Sequence, residues 1–305
     1  MEGDAPVTPT VTNLYGAPEA LVAAVTNDPY DAGPSDISVT KLIDAPQKRI
    51  LGRKYSDQLT VDVSERIWAL TGQALHHILE RAETNELVEQ RLFAEVDGWV
   101  LSGQFDRLHL GTKTLQDYKF TTTYKADGDD NWIRQLNVLR WLAFQHGYEV
   151  DKLEIVAIFR DWRRGSAERD SQYPQQAIKV IDIPVWPLDE TYEFIQERIA
   201  LHQAAQKGTA VLCTDEERWY TGTKYALIKP GGKRALKVVE DTDPAVVQAL
   251  IDEAAQKQYE VDIRVGEYRR CASYCEVSAF CEQWAKAKQL QPPPAEASHE
   301  STTEE

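Results

Sequence analysis

The chain has 305 residues, 42% of them hydrophobic, with 34 Lys and Arg against 49 Asp and Glu for a formal charge of −15. That length and apolar content suffice for one large domain or two small ones with a proper core. The acidic balance excludes a histone-like or generally basic DNA coat, because such proteins neutralise phosphates with net positive charge. It leaves room for an enzyme with local positive charge and metal-holding carboxylates.

Residues 1–36 are rich in Pro, Gly, Asp and Thr and read as a flexible, loosely ordered arm. Asp36 to Ile43 reads as a short helix start with Ser38 as N-cap. Residues 64–83 form an amphipathic helix whose buried stripe is Ile67, Leu70, Thr71, Ala74, Leu75, Ile78 and Ala82. Strand signals run through 91–120, including Trp99-Val100-Leu101 and Leu115 to Phe120. Trp132 to His146 reads as a second helix, Leu153 to Trp162 and Ala177 to Val185 as strands, and Asp189 to Gln206 as a third helix capped by Asp189. A basic segment, a helix near 244–258 and a cysteine cluster follow. Residues 287–305, with Pro292-Pro293-Pro294 and then Glu, Ser and Thr, read as a disordered acidic tail. The order of elements predicts an α/β fold, a short mixed sheet flanked by helices. Its parts are the arm 1–36, a core 37–206, an extension 207–286 and the tail 287–305. No run of about 18 apolar residues predicts a membrane span. The start Met1-Glu2-Gly3-Asp4 lacks the basic-then-apolar pattern of a secretion signal, so a cytoplasmic protein is expected.

The most informative stretch runs from Ser102 to Lys119. Glycine first in the pair Gly111-Thr112 suits a two-residue type II′ hairpin. That turn sets Leu110 opposite Lys113 and, counting outward, Asp106 opposite Asp117, with Lys119 on the same face as Asp117. Like charges facing each other across a hairpin are destabilising. A divalent cation between the two carboxylates makes the arrangement favourable. The alternative is a solvated face in another register. On the 64–83 helix, Gly72, His76 and Glu80 recur at i, i+4 and i+8. Gly72 would admit a close approach to the sheet, His76 is a third candidate ligand, and Glu80 a candidate acid behind it. A lone helical histidine is otherwise structural.

Cys271, Cys275 and Cys281 fall within eleven residues, and Cys213 is the fourth thiol of the chain. In a reducing compartment such a cluster reads as a metal site rather than a disulfide framework, with ordinary buried thiols as the alternative. Four thiolates suit an iron–sulfur cluster or zinc. From Arg218 to Lys237 the chain carries Arg218, Lys224, Lys229, Lys233, Arg234 and Lys237 with no acid, interleaved with Trp219, Tyr220 and Tyr225. Pro230-Gly231-Gly232 should turn the chain between two strands there. Basic side chains with aromatics fit a surface that tracks single strands or ends of DNA. A solvated hairpin is the alternative. Arg160-Asp161-Trp162-Arg163-Arg164 is a second basic loop.

Gly72-x3-His76-x3-Glu80, Gly103-Gln104-Phe105-Asp106, Asp117-Tyr118-Lys119 and Gln135 run in an order that resembles the PD-(D/E)XK nuclease superfamily. The arrangement is most similar to its RecB-like branch, with AddB nuclease domains, CRISPR-associated RecB-like exonucleases and stand-alone phage nucleases. The resemblance covers roughly residues 36–160 and the C-terminal cysteines. It implies a restriction-endonuclease-like core and a metal-dependent DNA exonuclease of recombination, repair or phage DNA metabolism, in a bacterial or phage-infected cell. His76, Asp106, Asp117 and the Tyr118 carbonyl would hold Mg²⁺ or Mn²⁺, and Lys119 would orient the attacking water. Gln135 matches the start of the branch's Q-x3-Y motif, but Leu139 stands where Tyr is usual. The resemblance also implies a [4Fe–4S] cluster on Cys213, Cys271, Cys275 and Cys281, stapling the extension to the core, with zinc the lesser alternative. The first cysteine gap is three residues rather than two, and Ala45-Pro46 replaces the usual N-terminal Cys-Pro. DNA is the implied partner, with a separate helicase or single-strand annealing protein beside it, since the chain has no Gly-x4-Gly-Lys-Ser/Thr loop for ATP. The rival readings are a CRISPR-adaptation-like end trimmer and a catalytically inactive DNA-binding or partner-docking protein on the same fold.

Overall fold

A computed structural model describes residues 9–27, 33–82, 86–232, 234–240 and 243–290. Lys233, the first eight residues and the tail from 291 onward lie outside the described residues. The chain divides into two units, at Val211/Leu212.

The first unit contains β1 (Thr10–Thr12), α1 (Glu19–Thr26), β2 (Ile37–Ser38), α2 (Val39–Leu42), α3 (Pro46–Lys54), β3 (Thr60–Asp62), α4 (Val63–Glu80), β4 (Leu87–Val96), β5 (Trp99–His109), β6 (Thr114–Thr121), α5 (Asp130–Gln145), β7 (Lys152–Phe159), α6 (Arg164–Ala167), β8 (Ile178–Ile183) and α7 (Leu188–Gln206). It is a mixed α/β structure, with a six-stranded sheet in the order β2-β5-β6-β7-β8 and β4 paired to β5. Phe105, Leu101 and Leu108 of β5, Leu115 of β6, Leu153 and Ile155 of β7, Leu136, Leu139 and Leu142 of α5, and Ile195 and Ile199 of α7 are fully buried together. β7, from Leu153 to Phe159, is a near-continuous apolar run, as suits a strand covered on both faces, whereas β5 and β6 interleave polar residues among their buried ones.

One detail of the sheet positions everything that follows. β4 runs antiparallel along β5 from Leu87–Leu108 to Val96–Trp99 and so occupies one edge of it. β2 and β6 must share the other edge. β2 pairs only with Leu101 and Ser102, and β6 only with Arg107, Leu108 and His109. Between them, Gly103 to Asp106 face a gap. From Thr114 to Thr121, β6 runs parallel to β7 instead. The face of β5 is crowded here: a Cβ built on Gly103 would lie 2.6 Å from Leu139 Cδ2, and 2.7 Å from both Leu142 Cδ1 and Val39 Cγ2. Only glycine fits. Gly103→Ala is expected to cost about 1–3 kcal/mol through overpacking, read as a lower midpoint in thermal or urea unfolding. A midpoint equal to wild type would show that α5 can shift outward.

Several expectations are corrected. The arm is not uniformly loose. β1 pairs in parallel with β3, and Asp62 explains why. Its carboxylate accepts from Leu14 N at 2.7 Å and Thr12 Oγ1 at 3.1 Å while capping α4 through Ser64 N at 3.0 Å. These donors, Leu14 N first, hold its pKa down at about 2. The α4 stripe is only partly covered, since Ile78 is 59% exposed and Ala74 and Ala82 are exposed. Gly72 makes no close approach, for nothing lies within 4 Å of a Cβ built there; Gly103 has that role. Asp189 lies in the first turn of α7 and Pro187 is the N-cap, with no side-chain cap bond. Ser38 caps α2 as expected.

The second unit contains β9 (Lys224–Ile228), β10 (Ala235–Glu240), α8 (Pro244–Lys257), β11 (Glu260–Arg264), α9 (Arg269–Ser273) and α10 (Glu282–Leu290). β9 and β10 form the expected hairpin, and β11 pairs with the other edge of β9. Leu250 and Ala254 of α8 pack on Leu227 beneath it. Among the described residues, no helix is long and apolar enough to cross a membrane.

Candidate functional site

The β5–β6 register is Arg107 with Gln116, Leu108 with Leu115 and His109 with Thr114, so continuing it sets Asp106 opposite Asp117. The connecting turn is not type II′, however. Leu110 to Lys113 form a longer turn whose left-handed residue is Lys113, at φ +52°, not Gly111. The longer turn preserves the count between strands, so the two aspartates still meet. They meet where the strands part. Tyr118 N, freed from the ladder, donates to Asp106 Oδ2 at 2.6 Å.

Two sets of side chains converge there. On one side His76 Nδ1 lies 3.2 Å from Glu89 Oε1 and 3.6 Å from Asp106 Oδ1. One donor atom from each of His76, Glu89 and Asp106 falls within 4.8 Å of the other two. Gln104 Nε2 donates to Glu89 Oε2 at 2.6 Å, and Arg91 Nη2 to Gln104 Oε1 at 2.9 Å. On the other side Gln135 Nε2 donates to Asp117 Oδ1 at 3.0 Å, and Lys119 Nζ donates to Gln135 Oε1 at 3.0 Å. Lys119 Nζ lies 2.7 Å from Asp117 Oδ2 as an ion pair. This buried oxygen carries no hydrogen bond among the described residues. Gln135 thus ties acid to lysine from α5. Leu139, one turn on, is core packed against Gly103.

Burial and the facing charge of Asp117 push Asp106 up to about 8. The hydrogen bond with Glu89 raises His76 above its ordinary value, against burial. Burial pushes Glu89 up, but the hydrogen bonds with His76 and Gln104 outweigh it and hold the carboxyl below its usual range. A buried acid kept protonated by a second acid is a site short of positive charge. A histidine nitrogen and carboxylate oxygens this close together fit a divalent ion such as Mn²⁺ or Mg²⁺.

Glu80 does not join the site. It is exposed, with Oε2 3.5 Å from His77 Nδ1. Glu89 and Gln104 are the residues that sequence reasoning passed over. The signal for Glu89 was present: Asp97-Gly98 is a two-residue hairpin turn with both residues at positive φ. Counting from Val96 opposite Trp99 sets Glu89 opposite Asp106. The Arg160 loop contributes a guanidinium 4.4 Å over the ring of Trp68, which is 53% exposed on α4.

In the second unit, Cys213, Cys275 and Cys281 are half-buried and Cys271 is buried. Burial first, then Glu217 and the other three cysteines, push the Cys213 thiol up to about 12. Gln283 of α10 holds the backbone of Cys213 from both sides, at 3.0 Å and 2.8 Å. No three sulfurs lie within 4.8 Å of one another among the described residues.

The basic segment is less available than its sequence suggests. Arg218 is buried, its guanidinium 3.4 Å from the ring centroid of Tyr268. Lys224 pairs with Glu240 at 2.9 Å and Lys237 with Glu253 at 3.4 Å. Trp219, at φ +54°, leans on Tyr274. Lys229 and Arg234 are exposed. Arg218→Ala is therefore expected to lower the stability of the second unit by about 2 kcal/mol through its lost ring contact, seen in calorimetry. Lys229→Ala should leave the melt unchanged. An Arg218→Ala protein that melts like wild type would return Arg218 to the surface.

No protein-family model matches the chain, and no curated protein matches it. Among solved structures, the chain is similar to SSO0001, at 18% identity and a TM-score of 0.40, over 59% of this chain and 82% of that one. It is also similar to a phage related exonuclease from Haemophilus somnus 129PT, at 17% identity and a TM-score of 0.27, over 53% of this chain and 70% of that one.

Proposed function

We propose that the chain is a Mg²⁺- or Mn²⁺-dependent deoxyribonuclease of the PD-(D/E)XK type, RecB-like in its motif order, acting as an exonuclease at DNA ends. The observation that carries this reading is the parting of β5 from β6 at Asp106 and Asp117, with Lys119 and Gln135 on one side and His76 on the other. His76, Asp106, Asp117 and the Tyr118 carbonyl are the ligand set. When bound, the cation supplies an activated water and a Lewis acid for the phosphate. Lys119, fixed by Gln135 and Asp117, would orient the attacking water and meet the charge developing on the phosphate oxygens. Gln135 acts by positioning: it donates to Asp117 and accepts from Lys119.

For the thiols, the likeness of the C-terminal cysteines to those of the RecB-like branch supports a [4Fe–4S] cluster on Cys213, Cys271, Cys275 and Cys281, with zinc the lesser alternative. The cluster's cationic irons would stabilise the thiolate of Cys213, whose thiol is pushed up by burial. DNA, as single strands or ends, is the partner, with Lys229 and Arg234 exposed to meet its backbone and a separate helicase or annealing protein supplying strands.

The deciding experiment uses end-labelled single- and double-stranded DNA and closed circular DNA, each with Mg²⁺ or Mn²⁺. Loss of label from linear DNA with intact circles is expected. Nicked circles would make the chain an endonuclease, and no cleavage of any substrate would leave a binding protein on a nuclease fold.

A further inference from the structure

We propose that Glu89 is itself a ligand of the divalent cation, together with His76 and Asp106. The inference rests on the metal-dependent reading above and adds a carboxylate that its motifs do not contain.

The backbone delivers Glu89 to the site by the same arithmetic that delivers Asp117. The Asp97-Gly98 turn pairs β4 with β5 without a slip, so β4, β5 and β6 present Glu89, Asp106 and Asp117 side by side. The carboxylate of Glu89 is held in one orientation. Its Oε2 accepts from Gln104 at 2.6 Å, and Gln104 is held in turn by Arg91 at 2.9 Å. That leaves Oε1 facing His76 Nδ1 at 3.2 Å, with Asp106 Oδ1 at 3.6 Å from the same nitrogen. An octahedral ion with ligands at about 2.1 Å sets neighbouring donors about 3.0 Å apart and opposite donors about 4.2 Å apart. Both distances fall between these limits.

Charge points the same way. With Asp106 ionised and His76 neutral, as metal ligands must be, Glu89, Asp106 and Asp117 against Lys119 leave −2, the complement of one divalent ion. The Asp117 side chain is only 3% exposed and its Oδ2 carries no hydrogen bond among the described residues. Its negative charge acts on both Asp106 and His76. Glu89 also has a left-handed backbone, at φ +49°, inside a strand. An ordinary surface glutamate has no reason to keep that strained geometry.

The test is Mn²⁺ binding by titration calorimetry on the full chain, with water proton relaxation on the saturated complex. Glu89→Gln is expected to weaken Mn²⁺ binding at least tenfold and to add one exchanging water to the bound ion. Glu89→Gly should lose Mn²⁺ to the same degree while melting no lower than Glu89→Gln, because glycine accepts the left-handed backbone without strain. Wild-type affinity in both variants would overturn the proposal. So would weaker binding with an unchanged water count, which would make Glu89 a positioning residue acting through His76. A wild-type protein that binds no Mn²⁺ would overturn the metal-dependent reading itself.

Discussion

Asp117→Asn is expected to lose metal-dependent DNA cleavage by on the order of 10³-fold or more, with the fold intact. The asparagine Oδ1 can still accept from Gln135 Nε2, the bond made by Asp117 in the wild type, so the tie between α5 and β6 survives. What disappears is the second negative charge that pushes Asp106 upward and pairs with Lys119. The melting temperature should stay close to wild type, because the lost ion pair with Lys119 is offset by removing the charge that makes Asp106 costly to ionise. Loss of activity with a lowered melt would mean that Asp117 mainly supports the fold. Full cleavage by clean Asp117→Asn protein would end the proposed mechanism.

The second large effect is a pH dependence of metal affinity. In the metal-free protein Asp106 titrates at about 8, against 3.8 for an ordinary aspartate. The folded state thus keeps a proton between about pH 4 and pH 8 that the unfolded state has released. Stability of the metal-free protein falls as pH rises through that window, and levels off above it. A cation needs the ionised carboxylate, so binding below pH 8 must expel the proton. Mn²⁺ affinity is then expected to fall about tenfold per pH unit below pH 8, and more steeply once His76 takes up its own proton. Titration at pH 6, 7, 8 and 9 measures the slope. A flat profile from pH 6 to 9 would mean that Asp106 is already ionised and does not share its charge problem with Asp117.

Much of this site was legible in the chain because a hairpin is a counting device. Asp106 and Asp117 meet whether the turn has two residues or four, provided the strands stay in step, and so a wrong turn type still led to the right pair. Glu89 went unread for a related reason: the same count from Asp97-Gly98 was available and the strand was taken to begin too late. Other features have no local signature. That Gly103 and not Gly72 is the crowded glycine depends on Val39, Leu139 and Leu142, which are distant in sequence. That Glu80 turns to His77 depends on which way α4 faces the sheet. That Arg218 is buried on Tyr268, 50 residues later in the chain, is a tertiary fact, and composition counted it as a surface charge.

The shared edge of β5 also gives the site a mechanical character. β6, with Asp117 and Lys119, is fastened to β7 from Thr114 to Thr121 but to β5 only from Arg107 to His109. Asp106 and Glu89 stand on β5 and β4, which are paired on both sides of them, from Leu87–Leu108 to Val96–Trp99. The acids therefore belong to two stiff plates joined by a short seam, and the seam lies at one end. Small rotations of one plate against the other would change the width of the cradle far more than they disturb either sheet half. An ion bound across the plates would act as a clasp. Hydrogen exchange at the Tyr118 amide, with and without Mn²⁺, reads that closure directly.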